Sequence, residues 1–389
     1  MRIISSFFFK IKELLSQMDG MLGTLTAICC AYGLLLITTA TYSFGTLKNV
    51  IVQGAGMILG LIAIFFIVLI DVDNLSVFSK ILYPLAVCML ILTMLIGTER
   101  MGNKNWIIVG PVSIQPSEFV KIIFIITFAT HLKKVQNYIN RPKALIPLAL
   151  HFLLLLGLVL MQGDLGTSLV YIFIAIIMLM AAGLHWLYFV VGGVGLVISA
   201  PFIYEYLLKD YQKLRILAVY DPSVDPLGYG YHTQQSKITL GGGGVSGYGL
   251  FKGVQTQYSI LPEKQTDFIF SVAGEELGFI GVSAIIILLV LLLIRVLYIA
   301  KNATDDFNSY VAMGVAAMLF FQAAENIGMC IGVLPVIGIT LPFFSYGGSS
   351  ILSCLMAIGL VMSVNSKRKM AGIFWGRHPE RHIYSTYNP

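Results

Sequence analysis

Charge is scarce in this chain. Only 11% of its 389 residues are Asp, Glu, Lys or Arg, against roughly 25% in an ordinary soluble protein, and the mean hydropathy is +0.86. A conventional soluble domain is thereby excluded. The six histidines are scattered, with no acids or cysteines at ligand spacing, so no zinc motif is legible. Cys29, Cys30, Cys88, Cys330 and Cys354 lie in or beside apolar runs without metal-type spacing and read as packing residues, which leaves the redox compartment open. No internal repeat is visible, which disfavours inverted-repeat transporters, and no appended soluble domain is expected.

What fills the chain instead is a series of apolar runs suited to a ~30 Å hydrocarbon core. They lie around 22–43, 50–70, 81–97, 119–132, 145–161, 165–182, 185–204, 268–298, 309–328 and 349–364. The expectation is an all-α polytopic membrane protein: one membrane domain over 1–389, with about ten transmembrane helices. A large extracellular loop, about 206–267, separates the seventh from the eighth, and a cytoplasmic tail follows from about 366. Arg2, Lys10 and Lys12 precede the first run as in a signal peptide, but no small-residue cleavage pattern follows, so a retained first helix is expected.

Alternating sides from a cytoplasmic N-terminus places fifteen Lys and Arg residues inside and only Lys48, Arg100 and Lys104 in short outer loops. Both termini are therefore expected in the cytoplasm, and the net charge of +6 is a topology signal, not a nucleic-acid signature. The long outer loop carries Lys209, Lys213, Arg215, Lys237, Lys252 and Lys264, which could meet an anionic substrate. Its first part, with Leu207, Leu208, Tyr211, Leu214, Ile216 and Leu217, approximates an interfacial helix. The glycine run from Gly241 to Gly244 reads either as a close approach to phosphate or as a flexible linker.

A few polar groups stand where a membrane span should have none. Glu118 and Lys121 are three apart at the start of the fourth span, so they share a helix face. Each would cost roughly 2.5–3.5 kcal/mol at bilayer centre, so they form a structural ion pair or line a watery cavity, expected to be bordered also by Asp164. Asp164 itself reads as the N-cap of the sixth span, which is compatible with a second role. Lys104 could hold a phosphate, and Trp106 could stack on a sugar or anchor the interface. Asp267 ends the polar run from Leu261 and stands just before the apolar run at Phe268, at the water boundary. It reads as an N-cap or as a general base. Glu275 and Glu276, eight and nine residues on, would lie about 12–13 Å deeper on a continuous helix and point elsewhere, in structural or relay roles.

The stretch from Asn326 to Ser350, with Leu-Pro-Phe-Phe-Ser-Tyr-Gly-Gly-Ser-Ser at its end, resembles the signature of the SEDS family of bacterial cell-wall proteins (shape, elongation, division and sporulation). Ser113 to Lys121, Gln162 to Thr167, Gln235-Ser-Lys-Ile and Leu261 to Gly278 agree with it, over about residues 20–366. Gly253-Val-Gln-Thr-Gln followed by Leu-Pro-Glu is similar to the elongation branch more than to the division branch. Gly163 departs from the family's usual proline, and Lys104-Asn105-Trp106 stands where an arginine commonly precedes the tryptophan region.

The resemblance implies a peptidoglycan glycosyltransferase of the bacterial plasma membrane that polymerises lipid II with inversion, Asp267 being the general base. It places Lys104, Trp106, Glu118, Lys121, Asp164, Gln235, Lys237 and Ser345 among the substrate-binding candidates, and a class B penicillin-binding protein as partner. No cofactor is certain; a Mg or Mn ion could assist pyrophosphate departure. A lipid II flippase is the alternative, with the same charges lining a translocation path. A pure scaffold explains neither the charge placement nor the long outer loop.

Overall fold

The computed structural model describes residues 18–100, 103–110 and 112–375. Arg2, Lys10, Lys12, Arg377 and Arg381, used above for orientation, lie outside these. The long helices are α1 (Gly20–Thr41), α2 (Lys48–Ile70), α4 (Ser79–Ile96), α5 (Pro116–Val135), α6 (Pro142–Met161), α7 (Leu165–Ala181), α8 (Trp186–Phe202), α12 (Ile269–Lys301), α13 (Asp306–Cys330) and α14 (Gly348–Trp375). α3 (Val72–Val77) is a short link. Among the described residues, eight of the long helices have the length and apolar composition of a membrane span. The other two are α7, apolar but of 17 residues, and α5, which carries Glu118, Lys121, Lys133 and Lys134.

Burial sorts these helices. α13 and the first part of α14 are mostly covered by protein, whereas no residue of α8 is buried. α14 runs to Trp375, so the helix continues past the expected start of the tail at 366. On one face of the bundle Asp19 caps α1 through Leu22 N (2.8 Å) and accepts from Nε of Arg295 on α12 at 3.0 Å.

Two departures from the sequence expectation shape the site. First, α4 and α5 are joined by a three-stranded antiparallel sheet, β1 (Thr98–Arg100), β2 (Asn103–Val109) and β3 (Val112–Ile114), in which Trp106 sits opposite Thr98. Second, α12 is broken at Gly278, whose φ of 64° and ψ of −160° are closed to residues with a Cβ. The segment 244–249 fills the break: Phe279 N donates to Gly244 O (2.9 Å) and Gly249 N to Glu276 O (2.8 Å). A side chain at Gly243 would collide with the Gly274 carbonyl. The glycine run is thus not a flexible linker: Gly243 lets two backbones touch.

The outer segment is largely helical: α9 (Asp210–Tyr220), α10 (Tyr229–Gly242) and the single turn α11 (Val254–Gln257). The inward face of α9 is Gln212, Arg215 and Ala218, not the apolar stripe. Leu207 precedes the helix and Leu217 points outward.

Candidate active site

Asp267 does not cap α12. That helix opens at Ile269, and its N-cap position, Phe268, makes no side-chain capping bond. The segment before it is a tight turn in which Thr266, Asp267 and Phe268 all donate their N–H groups to Glu263 O at 3.1–3.3 Å. Two clamps, one from α13 and one from the loop after it, fix this turn. Asn326 Nδ2 donates to Asp267 O (2.9 Å) and to Ile339 O (2.8 Å). Ser345 Oγ donates to Thr266 O (2.6 Å), and Tyr346 N to Gln265 O (2.8 Å). The carbonyls of Gln265, Thr266 and Asp267 are satisfied in this way, and the Asp267 carboxyl takes no part in these clamps.

Asp267 is half-buried, yet the protein packs densely around its carboxyl. Burial, and next the nearby Glu263 carboxylate, push its pKa from 3.8 to about 7, while the Arg215 guanidinium and a Thr266 hydrogen bond pull the other way. Arg215 is itself buried, 4.7 Å from the Tyr229 ring centroid and 5.4 Å from that of Tyr211, and its Nε has no partner among the described residues. A Cβ on Gly338 would stand 3.7 Å from Asp267 Oδ2. Against this cluster α13 presents Glu325, which is 4% exposed, interacts electrostatically with Asp267, and has no donor on either oxygen among the described residues.

Glu118, Lys121 and Asp164 are all buried in protein and none faces lipid. Lys121 Nζ donates to Glu118 Oε1 at 2.7 Å, and Ser353 Oγ donates to Oε2 at 2.7 Å. Asp164 caps α7 through Thr167 N (2.9 Å) and also accepts from Thr167 Oγ1 (2.9 Å), Asn105 Nδ2 (2.6 Å) and Gln115 Nε2 (3.1 Å). It therefore ties the β-sheet to the starts of α5 and α7. Gln115 N reaches Ser349 Oγ (3.1 Å), and Ser350 Oγ reaches Thr340 Oγ1 (2.7 Å). The segment 340–353 thus touches the Asp267 turn through Ser345, the Asp164 group through Ser349, and Glu118 through Ser353. These groups share one polar framework.

Other candidates fall on either side of a structural role. Lys104 directs Nζ to Leu95 O at the end of α4 (3.4 Å), and Trp106 is half-buried in β2. Gln235 is buried and bonds Gln255. Lys237 is exposed, its stem against Gly332. Ser345 is 3% exposed and serves the clamp. Lys264 turns inward, with Nζ bound to Ser43 Oγ (2.7 Å), Ser259 Oγ (3.1 Å) and Thr256 O, and burial pushes its pKa down; it is a strut for the turn, not an external cation. Glu275 accepts from Gln255 N (2.7 Å), Thr256 N (3.0 Å) and Thr256 Oγ1 (2.6 Å), so it caps α11.

The sequence names Arg215 only as one of six basic residues of the outer loop, and it does not single out Glu325. The rule that marks Glu118, an acid inside an apolar run, marks Glu325 equally. Arg215 carries no such signal.

A family model described as cell cycle protein, covering FtsW, RodA and SpoVE, matches residues 20–370. The Escherichia coli (strain K12) peptidoglycan glycosyltransferase MrdB is 40% identical over 296 residues, 74% of this chain and 78% of that one. Stage V sporulation protein E of Bacillus subtilis (strain 168) is 41% identical over 318 residues, 79% of this chain and 84% of that one. Among solved structures, a chain from a peptidoglycan synthase complex that coordinates polymerization and crosslinking aligns with a TM-score of 0.78 at 32% identity, covering 90% of this chain and 98% of that chain. The rod shape determining protein RodA of Thermus thermophilus aligns with a TM-score of 0.67 at 28% identity, covering 90% and 97%. With matched segments spanning the Asp267 turn, its clamps and the Glu118 pair, this chain belongs to the FtsW/RodA/SpoVE family, the SEDS proteins.

Proposed function

We propose that this chain is a peptidoglycan glycosyltransferase that polymerises lipid II, with Asp267 as the general base. The observation that carries the reading is the Asp267 carboxyl, free of capping duty, held by clamped backbone, and with its pKa pushed to about 7 by burial. A base is most effective when its pKa lies near the working pH. The acceptor GlcNAc 4-hydroxyl gives its proton to Asp267 while its oxygen bonds to the donor MurNAc anomeric carbon. The bond from that carbon to the undecaprenyl pyrophosphate oxygen breaks on the opposite face, and the electron pair leaves with the pyrophosphate. Inversion follows.

The departing anion needs positive charge. Arg215, buried beside Asp267, and the exposed Lys237 are the cations we assign to it, and Arg215 takes the part of the arginine missing before Trp106. Lys104 and Trp106 are left for the sugar phosphate. Glu118, Lys121, Asp164, Gln235 and Ser345 hold the site's shape from beneath. Among the described residues no three His, Cys, Asp or Glu side chains come together as metal ligands; a Mg or Mn ion would be held largely by the pyrophosphate and would neutralise its charge.

The elongation role rests on the Gly253 to Gln257 segment, supported by the likeness to the Thermus RodA. A class B penicillin-binding protein as partner is supported by the synthase complex whose chain this one resembles. We place the protein in the bacterial plasma membrane with both termini cytoplasmic. The test is purified protein with labelled lipid II in liposomes: a ladder of glycan strands is expected, and translocation of intact lipid II without polymer would replace this reading with transport.

A further inference from the structure

A second group of polar side chains enters the helical bundle far from Asp267. The β-sheet joins the end of α4 to the start of α5, so Ser79 and Val135 mark the opposite end of that helix pair. Between this end and α6 lies a cleft of about 270 Å³ whose lining includes Lys80, Tyr83, Thr127, His131, Lys134 and His151. It reaches inward by about two helical turns, since Thr127 lies eight residues before the end of α5, or about 12 Å along it. Ionisable groups at that depth are costly unless they serve a ligand or each other.

The floor of the cleft is a hydrogen-bonded row. Thr127 Oγ1 lies 3.2 Å from His151 Nε2, and His151 Nδ1 lies 3.2 Å from His131 Nδ1. Tyr83 meets His151 edge-on at 4.2 Å between ring centroids and donates its hydroxyl to the His151 carbonyl at 3.0 Å. Both ring nitrogens of His151 are used, so the ring is held. Nε2 of His131 has no protein partner among the described residues. At the mouth, Lys80 and Lys134 are exposed. Neighbouring Lys133 pairs with Asp305, and Lys367 pairs with Asp73 and Asp305, but Lys80 and Lys134 have no acidic partner among the described residues. Among the described residues no acid lines the cleft. Beside it Ile81, Leu85, Ile146 and Leu150 are exposed, an apolar surface next to a basic one.

We propose that this cleft binds a phosphate group, Lys80 and Lys134 pairing with its oxygens and the Nε2–H of His131 donating to it. Basic pockets between membrane helices suit the headgroups of anionic lipids, and here the apolar flank would take the acyl chains. Free phosphate offers the same oxygens without the chains. The site stands apart from the Asp267 chemistry and does not depend on it.

The test is native mass spectrometry of delipidated full-length protein titrated with phosphatidylglycerol, with phosphatidylethanolamine, and with phosphatidylglycerol plus excess inorganic phosphate. Wild type should retain phosphatidylglycerol over the zwitterionic lipid. The K80A/K134A double variant should bind it roughly 30-fold more weakly, at about 1 kcal/mol per lysine near a membrane surface, while K143A, which removes a lysine outside the cleft, should bind as wild type. Competition by inorganic phosphate identifies the free ion as a ligand; its absence identifies the lipid. Phosphatidylglycerol retained equally by K80A/K134A and wild type, or no preference for it in wild type, overturns the proposal. Because Lys80 and Lys134 are exposed, an unchanged circular dichroism spectrum of the double variant is expected and separates loss of binding from loss of fold.

Discussion

Asn326 donates from one amide nitrogen to the backbone carbonyl of Asp267 at 2.9 Å and to that of Ile339 at 2.8 Å. One buried side chain on α13 thereby joins the turn that carries the proposed base to the loop that closes over it. Asn326→Asp keeps the size but loses both donors and sets a carboxylate against two carbonyls. Each buried acceptor left unsatisfied costs about 1–3 kcal/mol, so thermal unfolding in detergent should occur at a clearly lower temperature. Polymerisation should fall more than the loss of folded protein accounts for. An Asn326→Asp protein with wild-type melting and rate would show that the clamp is incidental.

The Glu118–Lys121 pair predicts a non-additive cycle. Lys121→Met leaves a buried carboxylate with only Ser353 as donor, and breaking a buried pair in this way costs about 3–5 kcal/mol. Replacing Glu118 as well, by Gln, should recover much of that loss. Melting temperatures of the two single variants and the double variant give the coupling. Additive losses would mean that the two side chains do not act as a pair.

Glu325 predicts a trade between stability and rate. A carboxyl with no donor on either oxygen among the described residues is unfavourable in a packed helix, so Glu325→Leu should raise the melting temperature. If its closeness to Asp267 serves the reaction, the same change should slow polymerisation. A lower melting temperature with an unaltered rate would make Glu325 a packing residue.

The pH dependence follows from Asp267. Its pKa in the folded protein, about 7, lies above the ordinary 3.8 because burial, then Glu263, disfavours the charge. Between those values the folded state holds a proton that the unfolded chain has released. This group's contribution to stability is therefore largest at low pH and is lost as pH rises through about 7. Activity runs the opposite way, since a base must be ionised: kcat/KM should climb through about pH 7. Arg215→Met removes a charge that favours the ionised form, so the rise should move to higher pH. A profile flat across that range, or unmoved in Arg215→Met, would contradict the environment described.

Much of this architecture is legible in the chain, for an identifiable reason. Helices α1 to α14 with apolar runs announce themselves because lipid requires apolar side chains all along a span. Asp164 as a cap and Asp267 at a polar–apolar boundary are readable because capping and the water interface are local. The break at Gly278 is not, because it depends on backbone from residues 244–249 filling the gap. Lys264 looks like a surface cation until Ser43, far away in sequence, receives it. Arg215 acquires meaning only when α9 packs on α10 and brings the guanidinium within electrostatic reach of Asp267.

The central claim is that the Asp267 carboxylate takes the acceptor proton, and Asp267→Asn addresses it most directly. The substitution keeps the shape and every backbone clamp while removing the acceptor. Glycan-strand formation from labelled lipid II, in liposomes with the partner transpeptidase present and contaminating polymerases blocked, should fall by about 10²–10⁴-fold. Melting at pH 8 should be no lower than wild type, because the amide carries no buried charge. A folded Asp267→Asn protein that polymerises lipid II at the wild-type rate would contradict the account.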